Sequence, residues 1–176
     1  VVTNLDKTKN SVSIGLLKGD SSEMVELQRV LEEAPKFAYR VTRCPPQPAD
    51  AQSTYSALPD GKTYNDKFVY GIFCDDKMVG CIDVIRDYPK NGVAWIGLLL
   101  VSEKLHGQGI GRKALELLKR EIYSWKACKG IQLAVVSTND VALPFWRKMG
   151  FCETGKRTPY RYNQVEAESI HMEYFF

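Results

Sequence analysis

Residues 106–115 read HGQGIGRKAL. Glycines stand at 107, 109 and 111, and Arg112 and Lys113 follow at once. A plain turn needs one such glycine, or two. Three at alternate positions, leading straight into helix-forming residues, describe a backbone that must come close to something at the start of a helix. The first turn of a helix carries N–H groups without internal partners and a partial positive charge, so the natural occupant is an anion. The dipole contributes only about 0.3–1 kcal/mol per charge, so several amides must point inward together.

Outward from this loop the pattern is regular. Upstream, 93-VAWIGLLLV-101 reads as a strand. Downstream, Ile110, Ala114, Leu115, Leu117, Leu118, Ile122 and Trp125 fall at helical spacing from Gly109 to about Lys126. Gly130 stops the helix, and 131-IQLAVVS-137 is a second strand. Strand, turn, helix and strand make a βαβ unit, whose two strands lie parallel with a right-handed crossover.

On the N-terminal side, 12-VSIGLL-17 is a strand, and residues 20–34 form a helix capped by Asp20 or Ser21. A short helical segment follows at 35–42, then a Pro-, Ala- and Ser-rich loop at 43–62 with room for one short helix. Strands at 67–75 and 78–87 are joined by the tight turn Asp75-Asp76-Lys77, and residues 88–92 turn the chain back, so these strands run antiparallel. Their near-continuous hydrophobicity predicts burial on both faces. Beyond 137, Thr138 or Asn139 is expected to cap a helix running to Lys148. A strand from about Phe151, a polar stretch at 153–169 and a final strand at 170–176 complete the chain. The class is α/β with a mixed sheet, and residues 1–176 are read as one domain.

Composition narrows the function. Of 176 residues, 44% are hydrophobic and 26% charged, an ordinary globular balance. The net charge of +3 comes from cations spread along the chain, which argues against a nucleic-acid partner. Apolar runs such as 96–101 fall far short of the roughly 20 residues that cross a bilayer. Five widely spaced cysteines without a C-x-x-C pair fit a reducing, cytoplasmic setting, and two histidines far apart offer no metal-ligand spacing.

Two phosphate-loop patterns fail here. The dinucleotide fingerprint needs G-x-G-x-x-G, and the Walker loop needs Gly-Lys followed by Ser or Thr, whereas this stretch gives G-x-G-x-G and then Arg112-Lys113-Ala114. Instead, 98-LLLVSEKLHGQGIGRKALELL-118 resembles the acyl-CoA-binding motif of the GNAT superfamily of N-acyltransferases, [QR]-x-x-G-x-[GA] between a strand and a helix, with His106 in the [QR] position. Further on, 139-NDVALPFWRKMGF-151 is similar to the family's second motif, N-x-x-A-x-x-[FY]-[YW]-x-x-x-G-F. The two stand in the right order and at the right spacing. The resemblance covers residues from about 12 to 176, the first 60 by element order alone.

The resemblance implies a mostly antiparallel sheet of about six to seven strands, helices on both faces, and a central parallel pair that splays apart. It implies acetyl-CoA as cosubstrate. The strand end around Leu99 and Val101 would offer backbone groups to pantetheine. The turn of His106, Gly107, Gln108, Gly109, Gly111 and Arg112 would hold the pyrophosphate. Asn139 would reach the pantetheine arm, and Phe145 would pack near it.

The chemistry asks for a proton acceptor. An alkyl amine has a pKa near 10.4, so at pH 7 only about one molecule in 2,500 is free to attack, a deficit of about 4.6 kcal/mol. Many relatives place a glutamate where this chain has Trp95, and no acid lies in 93–101. Asp83 and Asp87 are the nearest carboxylates in sequence, and Asp83, inside the apolar run VGCIDVI, is the expected base or amine anchor. Where relatives use a tyrosine to protonate the leaving thiol, this chain has Trp146, read as core. Tyr160, Tyr162, Tyr123 or solvent would substitute, and Tyr160 is carried as the candidate. The expected function is direct acetyl transfer to an amine, of a small molecule first. Protein N-termini or lysines, or an inactive acyl-CoA-binding sensor with Trp95 and Trp146 in place of acid and base, are the alternatives. Edge strands at the C-terminus point to a homodimer.

Overall fold

The computed structural model describes residues 11–176. Its strands are β1 (Val12–Leu16), β2 (Lys67–Cys74), β3 (Lys77–Arg86), β4 (Val93–Val101), β5 (Gly130–Val136), β6 (Cys152–Tyr162) and β7 (Val165–Phe175). Its helices are α1 (Ser21–Glu32), α2 (Pro35–Thr42), α3 (Asp50–Ser56), α4 (Ile110–Ser124) and α5 (Ala142–Lys148). The strands form one sheet in the order β1-β2-β3-β4-β5-β7-β6. Neighbours run antiparallel except β4 and β5, the parallel pair that the βαβ pattern requires.

The two sheet faces are covered by different helices. On one face, Val69, Cys81 and Leu100 pack with Leu27, Val30, Leu31 and Ala51 from α1 and α3. On the other, Ile82, Val84, Ile96 and Leu133 pack with Ala114, Leu115, Leu118 and Ile122 of α4, and Trp146 of α5 joins them. This double covering explains the unbroken apolar run of β3, because alternate residues enter opposite cores. Leu118 is fully buried. Truncating it to alanine would cost about 2–5 kcal/mol.

Local chemistry fixes the entry to α1. Asp20 accepts the Glu23 amide at 2.9 Å, and the Glu23 carboxylate reaches back to the amides of Lys18 and Gly19 at 2.6 and 2.8 Å. Several donors at the helix start are thereby satisfied.

The feature that matters for function lies in the middle of the sheet. β4 and β5 pair over only four residues each, Val93–Ile96 against Gly130–Leu133. Beyond that, β4 continues to Val101 against β3, and β5 continues to Val136 against β7. The two strands therefore part like a V. At its apex Gly97 has no partner on β3, since Val84 pairs with Ile96 and Asp83 with Leu98. The bulge bends β4 away where the opening begins.

Two expectations are corrected. The polar stretch 153–169 belongs almost wholly to a long hairpin, β6 and β7, which turns at residues 163–164. β6 is an outer strand, exposed along most of its length, so it has no need of apolar residues. The helix after β5 begins at Ala142 without a side-chain cap; Asn139 meets the Ala142 amide through its backbone carbonyl at 3.1 Å. The Thr138 hydroxyl is turned elsewhere, to the carbonyl of Arg40 at 2.7 Å.

Candidate active site

A cleft of about 790 Å³ opens at the mouth of the V. Leu99 and Val101 come to it from β4; His106, Gly107, Gly109, Gly111 and Arg112 from the loop and first turn of α4; Asn139 and Phe145 from the region of α5. Residues separated by some forty positions in sequence thus share one wall. Gln108 is exposed and does not line the cleft.

The glycines have distinct reasons. Gly107 and Gly109 adopt φ of 80° and 79°, a left-handed conformation that side chains disfavour, and a Cβ on either would project into open space. Gly111 is helical, and a Cβ there would meet Phe145 and Leu99 at an ordinary 3.7–3.8 Å. The protein's own packing therefore does not demand glycine at 111. The loop is tied to the end of β4 by His106, whose Nε2 donates to the Val101 carbonyl at 2.9 Å.

The cleft is electropositive. Among the described residues Lys36, Arg40, Arg112 and Lys148 line it, against a single carboxylate, Glu103. Even that charge is engaged, for Glu103 Oε1 accepts the amides of Lys36 and Phe37 at 2.7 and 3.3 Å and caps α2. The other end of α2 is held by Thr138 on the Arg40 carbonyl and by the Tyr160 hydroxyl on the Val41 carbonyl at 2.8 Å. α2 is thereby anchored both to the segment after β4 and to the β5–β6 side.

Asp83 lies on the face covered by α1 and α3. Its Oδ1 is 2.8 Å from Lys67 Nζ, with the two side chains 16% and 4% exposed. Among the described residues neither atom has a hydrogen-bond partner beyond this close ion pair. Burial pushes the Asp83 carboxyl above the usual aspartate range, and the Lys67 ammonium works against that rise. Asp83 Oδ2 stands over Gly97, 2.7 Å from where a Cβ would be.

Burial raises the Tyr160 hydroxyl above its ordinary range. His171 pairs through Nε2 with Thr158 Oγ1 at 2.9 Å, and burial, reinforced by Lys156, lowers its pKa. Trp146 is only 7% exposed and packs edge-on against Phe145 and Phe151, so it is a core residue.

A family model described as the acetyltransferase (GNAT) family matches residues 30–151, from α1 to the residue before β6. The chain belongs to the GNAT acetyltransferase family. Among relatives of this GNAT chain, a spermine/spermidine N(1)-acetyltransferase of Bacillus subtilis (strain 168) is 26% identical over 110 residues, 60% of this chain and 72% of the relative. An acetyltransferase of Thermus thermophilus superposes with a TM-score of 0.70 at 20% identity, covering 95% of this chain and 99% of the other. An acetyltransferase of Bacillus anthracis str. Ames, solved in complex with acetyl coenzyme A, superposes with a TM-score of 0.55 at 21% identity over 66% and 65% of the two chains.

As a GNAT acetyltransferase the protein takes its acetyl group from acetyl-CoA. The residues present fit that molecule: a helix N-terminus behind two left-handed glycines, a surplus of cations, and a strand end with backbone freed from its neighbour. Among the described residues no helix is long and apolar enough to cross a membrane.

Sequence reasoning missed Lys67, Gly97, Glu103, Lys36 and Arg40. Gly97 inside an apolar run and Lys67 at the head of a strand were visible irregularities. The Glu103 contact to α2 spans 67 positions and has no local signature.

Proposed function

We propose that the protein acetylates a primary amine of a small cationic molecule in one direct step, with Asp83 as proton acceptor. The observation that carries this reading is the place of the Asp83 carboxylate, over the first β4 residue beyond the last β4–β5 rung. There it is largely screened from water, close to where a thioester lying along the V would present its carbonyl. The raised Asp83 pKa makes it a stronger base than a surface aspartate.

The step balances as follows. The ammonium of the acceptor loses a proton to Asp83, and the freed nitrogen lone pair attacks the thioester carbonyl carbon. An N–C bond forms, the C–S bond breaks, and the nitrogen sheds its second proton to solvent. The departing thiolate takes up one proton, a step that is downhill by about 2 kcal/mol at pH 7 for a thiol of pKa near 8.5. Solvent supplies it most simply, because Tyr160 gives its hydroxyl proton to Val41 and would have to leave that carbonyl to serve. A β4 amide beyond the last rung would polarise the carbonyl oxygen.

A small cationic acceptor is supported by the spermine/spermidine relative and by an aromatic and polar row on the sheet. Trp95 is flanked by Tyr88 and His171, with ring centroids at 5.7 and 5.9 Å. Gln132 and Glu173 follow Trp95 in the same cross-strand row. An aromatic face beside a carboxylate suits an ammonium group. All five cysteines are free thiols, which supports a reducing, cytoplasmic setting. β6, the edge strand on the C-terminal side of the sheet, is where a second copy would pair.

The test is thiol release from acetyl-CoA against spermidine, spermine, free amino acids, and peptides with free N-termini or lysines. Release with the polyamines, lost in Asp83→Asn at unchanged CoA affinity, is the expected result. Release with peptides alone would replace the small-molecule reading, and binding without release from any amine would refute turnover on these acceptors.

A further inference from the structure

Three departures from ordinary strand chemistry meet at the apex of the V: a lysine at the head of β2, an aspartate within β3, and an unpaired glycine in β4. Lys67 pairs in register with Ile85, and Val69 with Asp83. Residues two apart on a strand share a face, so Lys67 and Asp83 are diagonal neighbours on the same side of the sheet. The Lys67 side chain is 4% exposed and its Nζ lies 2.8 Å from Asp83 Oδ1. On the other side of the carboxylate, Oδ2 fills the space a Gly97 side chain would need, and a Cβ there would approach it to 2.7 Å. The carboxylate is held between an ammonium and a bare stretch of backbone.

We propose that Lys67 is a positioning residue of this acetyltransferase, its buried ammonium fixing the Asp83 carboxylate over Gly97 at the point where β4 and β5 part. The inference rests on Asp83 as the proton acceptor. Stability alone is a poor account of the pair, because a buried ion pair can often be exchanged for apolar side chains with no loss. Its geometry has a consequence for chemistry: it turns one oxygen to Lys67 and sets the other over Gly97, the first β4 residue past the last β4–β5 rung.

Among the described residues few other groups act on this carboxylate. On its own strand Cys81 is a neutral thiol, its pKa pushed up to about 12 by burial and by Asp83 itself. On β4 it faces Gly97 and Leu98, which do not ionise. The helices over this face contribute apolar side chains to the surrounding cluster, among them Leu27, Val30 and Phe37. Asp66, next to Lys67 in sequence, is engaged with Lys62 and Arg86.

The test is the pH dependence of kcat/KM for the unsubstituted enzyme, Lys67→Met, Lys67→Arg and Asp83→Asn, with CoA affinity measured alongside. As pH falls, Asp83 takes its proton and activity drops. A positive neighbour favours the carboxylate, so removing it moves this acidic limb to higher pH, by about one unit or more. The expected pattern is a shifted limb in Lys67→Met, its return in Lys67→Arg, and CoA affinity unchanged within about twofold, well under the tenfold that 1.4 kcal/mol represents. Lys67→Gln makes the same comparison if the methionine variant does not fold. A folded Lys67→Met or Lys67→Gln whose limb coincides with that of the unsubstituted enzyme overturns the inference. If Asp83→Asn abolishes the limb while the Lys67 variants leave it in place, Lys67 alone is refuted. If Asp83→Asn keeps the limb, the proton-acceptor reading falls and this inference falls with it.

Discussion

The Tyr160 hydroxyl donates to the carbonyl of Val41 at 2.8 Å, joining the edge strand β6 to the last turn of α2 across 119 positions. Helix ends leave carbonyls without partners, and α2, only eight residues long, has no side-chain hydrogen bond from its own cap residue. Its caps come from elsewhere: Glu103 at the start, Thr138 and Tyr160 at the finish. Because Lys36, Phe37 and Arg40 of α2 line the cleft, the tether should bear on cosubstrate binding. Tyr160→Phe should weaken CoA binding by about two- to tenfold, the range of one hydrogen bond of 0.5–1.5 kcal/mol. Calorimetric titration checks this. A fall in kcat at unchanged CoA affinity would instead make Tyr160 the proton donor to sulfur.

Gly111→Asp separates folding from binding. A carboxylate in the first turn of a helix is stabilising by about 0.3–1 kcal/mol, and the added Cβ meets only ordinary contacts. The variant should keep or slightly raise its melting temperature while losing at least about tenfold in CoA affinity, or 1.4 kcal/mol, by facing a pyrophosphate. Undiminished affinity in the folded variant would move the anion away from this helix start.

Lys119 is half-sunk beside α5. Its Nζ donates to the Met149 carbonyl at 2.7 Å and sits 3.6 Å from the Tyr174 ring centroid. Lys119→Met keeps the stem but removes a charged donor and a cation–π contact. It should lower unfolding free energy by about 1.5–3 kcal/mol, read as a reduced urea midpoint at unchanged m-value.

His171 resists protonation in the folded protein, since burial lowers its pKa. The unfolded chain then binds the proton more readily, so stability rises with pH and is lost as pH falls below the ordinary histidine value near 6.5. Melting temperatures between pH 7.5 and 5.5 should drop less in His171→Gln than in the unsubstituted protein. An equal drop in both would assign the acid sensitivity to other groups.

What sequence could reveal depended on the range of each interaction. The glycine loop, α4 and the parallel pair were legible, because period, turn and crossover rules act within a few dozen residues. Asp83 was visible as an acid within an apolar strand, yet its partner Lys67, sixteen positions away, became evident only through the register of β2 on β3. β6 was unreadable because an outer strand owes nothing to a core. The side chain of Asn139 suggested a cap, but the helix starts at Ala142, past its reach as an N-cap. Residues of α2 entered the cleft through tethers to β6 and to Glu103, which no local pattern announces.

The four-residue overlap of β4 and β5 also divides the molecule mechanically. β1 to β4 form one antiparallel unit and β5 to β7 another, stitched by that short seam and by the α4 crossover. Seams of this kind are where sub-global opening begins, since few backbone bonds must break. A cosubstrate lodged in the V would meet β4 on one side and the Asn139–Phe145 segment that follows β5 on the other, and would so act as a clamp. Acetyl-CoA should therefore slow amide exchange at residues 97–101 and at 134–136 together and raise the melting temperature with concentration, making thermal shift a direct report of acyl-donor occupancy.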